Sequence, residues 1–185
     1  MKVLIICTGN SCRSQMAAAY LERLRPEWCV RSAGTVPAPV VNPLAVRVMA
    51  EDCIDISGRV PCSVSRYIPE PWDTVITVCG GARETCPVFT GSVKRRLHIG
   101  FDDPAAAGGS EDERLSVFRR VRDEIREAMG RFAEENCSSS ERLAADTPLL
   151  SDEVIRDFKR SPAVPRLFRR PSVAFRKALF LRRVL

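Results

Sequence analysis

Along this chain the apolar positions come as short unbroken runs, separated by stretches in which they recur every three to four residues. "KVLIIC" at residues 2–7 is such a run, and its length predicts a strand covered on both faces. "SQMAAAYLERLR" follows at helical spacing and predicts a helix opened by Ser14 and closed before Pro26. "WCVRSAG" predicts a second short strand. "NPLAVRVMAED" predicts a helix with Asn42 as N-cap and Pro43 at the first helical position, where a missing N–H costs nothing. "DTVITVC", bounded by Asp73 and Gly80–Gly81, predicts a third strand, and "RLHIGF" a shorter fourth. From Ser110, "SEDERLSVFRRVRDEIREAMGRFAEE" predicts a long amphipathic helix with a serine cap and acids in its first turn. Leu115, Phe118, Val121, Ile125, Met129 and Phe132 mark its buried stripe.

Alternation of strand and helix implies an α/β fold, a parallel sheet covered by helices. Ligands of such sheets sit beyond the carboxyl ends of the strands. Cys7 and Cys79 each end a predicted strand, which places both on that edge.

Composition narrows the chemistry. The chain has 185 residues, enough for one domain and an appended segment. No apolar run approaches the roughly 20 residues of a membrane span, and "KVLII" is too short for the core of a signal peptide. The expected location is therefore the cytoplasm, where disulfides are transient and catalytic. Eight cysteines need explaining there. With no CxxC pair and His98 as the single histidine, zinc is a poor account of them, and a Cys–His nucleophile pair is equally ill supported.

The richest stretch is "CTGNSCRSQMA", which begins at Cys7 between the first strand and the first helix. A loop at this junction turns backbone N–H groups inward, and the helix dipole adds partial positive charge. Gly9 permits close backbone approach, and Asn10 and Ser11 tolerate unusual turn dihedrals. Thr8, Gly9, Asn10, Ser11, Cys12, Arg13 and Ser14 together form a candidate oxyanion cradle. Arg13 supplies a planar fork for two oxygens of a tetrahedral anion. Cys7 at the base of that cradle is expected to be a thiolate, because helix N-termini and nearby cations lower a thiol from near 8.5 to about 3.5–7.5.

With its C-x5-R spacing, this loop resembles that of the thioredoxin-coupled arsenate reductases, which share the fold of low-molecular-weight tyrosine phosphatases. "SAGT", "NPLAV", "DISG", "VITVCGGARETCP", "VKRRLHIGFDDPA" and "FRRVRDEI" extend the resemblance over roughly residues 2–133. The loop alone does not separate reductase from phosphatase; the cysteine pair of "CGGARETCP" does. The resemblance implies a flavodoxin-like four-stranded parallel sheet flanked by helices over residues 1–135; residues 136–185 lie outside it and read from composition as a linker and a basic, partly helical or disordered extension. It also implies roles. Cys7 attacks arsenate, Arg13 and the loop amides hold it, and Asp103 protonates the departing oxygen. Asn10 shapes the loop and Ser14 bonds the nucleophile's sulfur. Cys79 then attacks Cys7 to release arsenite, and Cys86 attacks Cys79, leaving a disulfide for thioredoxin to reduce. Phosphate and sulfate are the expected competing oxyanions, and no bound cofactor or metal is expected. Cys79 and Cys86 are seven positions apart, about 10 Å if helical, whereas a disulfide needs about 5.5 Å, so "GGARETC" has to loop or unwind during turnover.

Other residues carry weaker signals. Cys12 has two readings, a structural thiol or a protective partner for Cys7. Cys29, Cys53 and Cys62 read as buried filler; Cys137 has no motif around it. His98 reads as a structural residue at a strand end and Asp102 as a turn or solvated acid. Some family members bind potassium near the loop; Ala18, Val60 and Cys62 stand at the corresponding positions, so no such site is expected. Ile99 replaces a tryptophan common in the family. "LLSDEVIRDFKR" predicts a short helix. Residues 161–185 contain seven Lys or Arg and no acid, more than the chain's whole net charge of +6. That tail suits solvation or contact with a membrane surface or protein, and charge alone assigns no nucleic acid. Two rival functions stand beside the reductase. A phosphatase needs only Cys7, Arg13 and Asp103, but "DDPAAAGG" lacks the aromatic that would flank a substrate ring. A non-enzymatic thiol sensor or arsenite-binding module leaves Arg13 and Asp103 unexplained.

Overall fold

A computed structural model describes residues 1–80 and 87–136. Four strands, β1 (Lys2–Cys7), β2 (Cys29–Gly34), β3 (Trp72–Thr77) and β4 (Val93–His98), form one parallel sheet in the order β2-β1-β3-β4. Among the described residues three α-helices accompany them: α1 (Arg13–Leu24), α2 (Pro43–Glu51) and α3 (Glu111–Glu135). The expected fold class is thus observed. Strand β1 has neighbours on both sides, and its residues Val3–Cys7 are all buried, as its unbroken apolar run requires. Strand β4 lies at the edge and exposes Lys94, Arg95 and Arg96, charges that discourage pairing with another chain.

Local signals set most boundaries. Asn42 accepts from the Leu44 N–H at 2.9 Å and Pro43 begins α2. Ser110 and Glu113 form a reciprocal capping box at the start of α3. All six apolar residues expected on the inner stripe of α3 are buried, and Phe132 meets Trp28 edge to face. Three boundaries differ from the sequence reading. Helix α1 starts at Arg13 with Cys12 at the cap position, so Ser14 lies within its first turn and serves the site instead. Strand β3 begins at Trp72 and ends at Thr77, two residues short of Cys79. Strand β4 starts at Val93, three residues before the expected point. Cys53 is exposed at φ 56°, and Cys29 and Cys62 are half-buried, so none of the three is buried filler. Cys86, Cys137, the 149–160 segment and the basic tail lie outside the described residues. Among the described residues no helix is long and apolar enough to cross a membrane.

The three helices are tied by charge as well as by apolar packing. Arg122 of α3, buried, donates to Val48 O at 2.9 Å and to Glu51 at 2.8 Å. Arg119 grips Glu51 with two nitrogens, at 2.7–3.1 Å. Asp52 accepts from Tyr20 Oη of α1 at 2.5 Å and from Arg126 of α3 at 2.9 Å. Arg119's hydrogen bonds, with help from Arg122, hold the Glu51 carboxyl below its usual range against a smaller effect of burial. Burial alone pushes Asp52 up, but the Tyr20 hydroxyl and the two arginines together bring it below its usual range.

A carboxylate lowered in the folded state stabilises the fold above its unfolded pKa, near 4.3 for Glu, and loses that contribution as pH falls through the folded value. Glu51→Gln should therefore lower the melting temperature at pH 7, and the gap to wild type should narrow as pH falls below about 4. Melting curves across pH 3–7 check this; a gap independent of pH would show that the ion pairs are not its source.

Candidate active site

Parallel pairing brings Cys7 opposite Gly34, and Ile6 opposite Thr77, so the ends of β1, β2 and β3 are level. Chain direction across the sheet reverses at β1, since β2 lies on one side and β3 on the other. The crevice at such a reversal is where α/β sheets bind ligands. The loop of residues 8–12 occupies it.

Segment 35–42 fixes the loop's orientation. The N–H groups of Thr35, Val36, Ala38 and Asn42 donate to the carbonyls of Cys7, Thr8, Gly9 and Ser11 at 2.8–3.1 Å. In a trans peptide the N–H points opposite to the carbonyl, so the N–H groups of Thr8, Gly9, Asn10 and Cys12 turn the other way. Asn10 shows the direction: its N–H donates to Cys7 Sγ at 3.0 Å. The inward-facing donors inferred from the strand–loop–helix pattern thus have a structural cause.

Asn10 makes the turn in the left-handed region, at φ 48°, and is completely buried. Gly9 and Ser11 keep negative φ, so the strained turn falls on Asn10 alone. Its Nδ2 donates to Ser14 Oγ at 2.8 Å. With that lone pair engaged, the Ser14 hydroxyl proton is free for Cys7 Sγ, 2.9 Å away. The Asn10 N–H and the Ser14 hydroxyl thus both contact the sulfur.

Arg13 stands first in α1. Its Nη1 donates to Phe101 O at 3.2 Å and its Nη2 lies 2.9 Å from Asp103 Oδ2. Its Nε is buried and has no partner among the described residues, a donor left over for an incoming anion. The other Asp103 oxygen caps a short 3-10 turn, Pro104–Ala106, through Ala105 N–H. Asp103 thus faces Arg13 across the site mouth, nearly half exposed. Asp102 points elsewhere, to Arg120, and His98 bonds Thr77 at the sheet edge, in keeping with a solvated acid and a structural strand-end residue.

Cys79 is buried just past β3, its Sγ 3.4 Å from Thr8 Oγ1, so a second thiol abuts the loop that carries Cys7. Cys12 is buried as well. Burial pushes its thiol up to about 12, and the Ser11 hydroxyl only partly opposes this. Cys86 lies outside the described residues. Among the described residues no cluster of three or more His, Cys, Asp or Glu is placed to hold a metal ion.

Sequence patterns did not single out Gly34, Gln15 or Cys62. A Cβ on Gly34 would stand 2.6 Å from Thr8 O and 3.0 Å from Asn10 Cβ, so the loop rests directly on this glycine. Gln15 Nε2 and Cys62 N both donate to Asn10 Oδ1. A glutamine amid the small apolar residues of α1, and a glycine ending a strand, were the available signals.

This constellation is that of a known group. The pattern of low molecular weight phosphotyrosine protein phosphatases matches residues 2–146, and the chain belongs to that family. Within it, the chain is 48% identical over 133 residues to an arsenate reductase of Halalkalibacterium halodurans, covering 71% of this chain and 94% of that protein. It is 47% identical to the arsenate reductase of Bacillus subtilis with the same coverage. The fold superimposes with a TM-score of 0.62 on an arsenate reductase in its phosphate-binding state, 29% identical, covering 74% of this chain and 98% of that one. A YwlE arginine phosphatase mutant with a phosphorylated active-site serine superimposes with a TM-score of 0.58 at 25% identity, covering 73% and 95%.

Gly34→Ala should displace the loop, because both atoms it would strike are backbone or rigidly held. Overpacking of this kind costs about 1–3 kcal/mol. The variant should melt lower, and phosphate should protect its Cys7 against alkylation less than it protects wild type; equal protection, or none in wild type, would mean that the loop does not bind the anion.

Proposed function

We propose that the protein is a thioredoxin-dependent arsenate reductase acting through Cys7, Cys79 and Cys86. The observation that carries this reading is Cys79, a buried thiol against Thr8 of the oxyanion loop, which phosphate-ester hydrolysis does not need. The names of the 47–49% identical relatives support the same substrate.

In this mechanism Arg13 and the inward N–H groups bind the arsenate dianion, and Arg13 Nε gains its missing acceptor. The Cys7 sulfur attacks arsenic, and the departing oxygen leaves as water with a proton from Asp103. Cys79 as thiolate then attacks Cys7 Sγ. The sulfur–arsenic bond breaks, its electron pair reduces As(V) to As(III), and arsenite departs as the Cys7–Cys79 disulfide forms. Cys86 as thiolate attacks Cys79 Sγ and releases Cys7. A dithiol reductant of the thioredoxin type then reduces the Cys79–Cys86 disulfide. No bound cofactor takes part.

A phosphatase reading has its own support in the family pattern, the arginine phosphatase likeness and the Cys7–Arg13–Asp103 set. Hydrolysis of a chromogenic phosphate ester, measured beside arsenate-dependent NADPH consumption with thioredoxin and thioredoxin reductase, separates the two. We place the catalytic domain within residues 1–135, since the curated relatives align over 94% of their own length with 71% of this chain. The working address is the cytoplasm.

Cys86→Ser should reduce one equivalent of arsenate and stop as the Cys7–Cys79 disulfide. Cys79→Ser should yield no arsenite in a single turnover without added thiol. Mass mapping after one turnover reads both. Sustained thioredoxin-coupled cycling by Cys86→Ser would overturn the relay.

A further inference from the structure

Gln15 is a polar side chain in an apolar place. It is 2% exposed, in the first turn of α1, between the site serine and the buried Met16, Ala17 and Ala18. Burying an amide there is unfavourable unless its hydrogens are used, and a leucine or methionine would fill the space without that penalty. Its hydrogens are used on one residue: Nε2 donates to Asn10 O at 3.1 Å and to Asn10 Oδ1 at 3.2 Å. Cys62 N–H, from the far side of β2, reaches the same Oδ1 at 2.9 Å.

Asn10 is the residue that needs holding. Its left-handed backbone is unfavourable for a residue with a Cβ and persists only where the surroundings impose it. With that backbone, its N–H meets Cys7 Sγ and its Nδ2 meets Ser14 Oγ. Anchoring Oδ1 by two donors also settles which end of the amide faces Ser14, because an amide turned over would set its NH2 against the Gln15 and Cys62 donors and leave both without that acceptor.

We propose that Gln15 is a positioning residue for the Cys7 nucleophile, clamping Asn10 so that its two N–H groups stay aimed at the Cys7–Ser14 pair. The clamp rests on the reading of Cys7 as nucleophile. Gln15 touches neither the sulfur nor the anion and acts only through Asn10. Displacements of about 1 Å in such groups cost up to 100-fold in rate, so a loss of roughly tenfold is expected when the clamp is removed.

The test is Gln15→Met in the full-length protein, a close match in volume that cannot donate. Iodoacetamide labelling at neutral pH is followed at the Cys7 peptide, with hydrogen–deuterium exchange on the peptide spanning the loop. The positioning role predicts about tenfold slower labelling of Cys7 together with faster exchange in the loop. A role in packing alone predicts the opposite sign, since loosening the fold exposes a buried thiol. Labelling that is unchanged or faster overturns the proposal. If the methionine variant does not fold, Gln15→Leu, which is apolar and cannot donate, is read the same way. In wild type, Cys7 should label faster than the exposed Cys53. If it does not, the nucleophile reading fails, an outcome distinct from a fast Cys7 that ignores Gln15.

Discussion

A left-handed asparagine turning the chain back over a buried sulfur is the contact on which the site depends. Asn10 cannot hold that conformation by itself, and much of the surrounding architecture bears on it. Strand β2 ends in Gly34 because the loop rests there. Segment 35–42 takes up the loop's carbonyls, so the N–H groups are left to face the sulfur and whatever lies above it. Helix α1 contributes Arg13, Ser14 and Gln15 in consecutive positions, toward the anion, the sulfur and Asn10. The parallel register that levels Cys7 with Gly34 makes these contacts possible at all.

Charge then ties this edge to the bulk of the protein. The arginines of α3 hold the end of α2 through Glu51 and Asp52, and Asp52 reaches α1 through Tyr20. Helix α1 is therefore fixed at its first turn by the site and along its length by the core and this network. Its N-terminal N–H groups cannot drift relative to the end of β1.

What was legible in the sequence was local. Asn42 and Ser110 cap helices by bonds spanning two or three residues, and the stripe of α3 follows from its own periodicity. Cys7, Arg13 and Asp103 could be named from one loop and one short motif, and the structure brings Arg13 and Asp103 to 2.9 Å. What escaped depends on register between distant segments. Gly34 matters only because β2 pairs with β1 so as to face Cys7, and Cys62 only because its N–H lands on Asn10 across 52 positions. Periodicity read Ser14 as a helix cap because serine often is one; its hydroxyl instead faces the sulfur and Asn10, the place that the family resemblance implied. Cys53 looked like filler because free cysteines are commonly buried, yet a left-handed turn after α2 leaves it exposed.

Cys7 and Cys12 stand five residues apart at the two ends of one loop, both buried, and their hydrogen-bond partners tell them apart. Burial pushes the Cys12 thiol up to about 12, so it stays protonated at pH 7. Exchange with a disulfide, attack on an electrophile and oxidation all begin from the thiolate. Held as the thiol, Cys12 is a poor nucleophile although it sits in the same short loop as Cys7. Two sulfurs equally shut off from water thus differ in what faces them: the Asn10 N–H and the Ser14 hydroxyl meet Cys7, whereas Cys12 meets the Ser11 hydroxyl at 3.7 Å, and any rearrangement that brought such groups to Cys12 would turn a spectator into a competitor for Cys7.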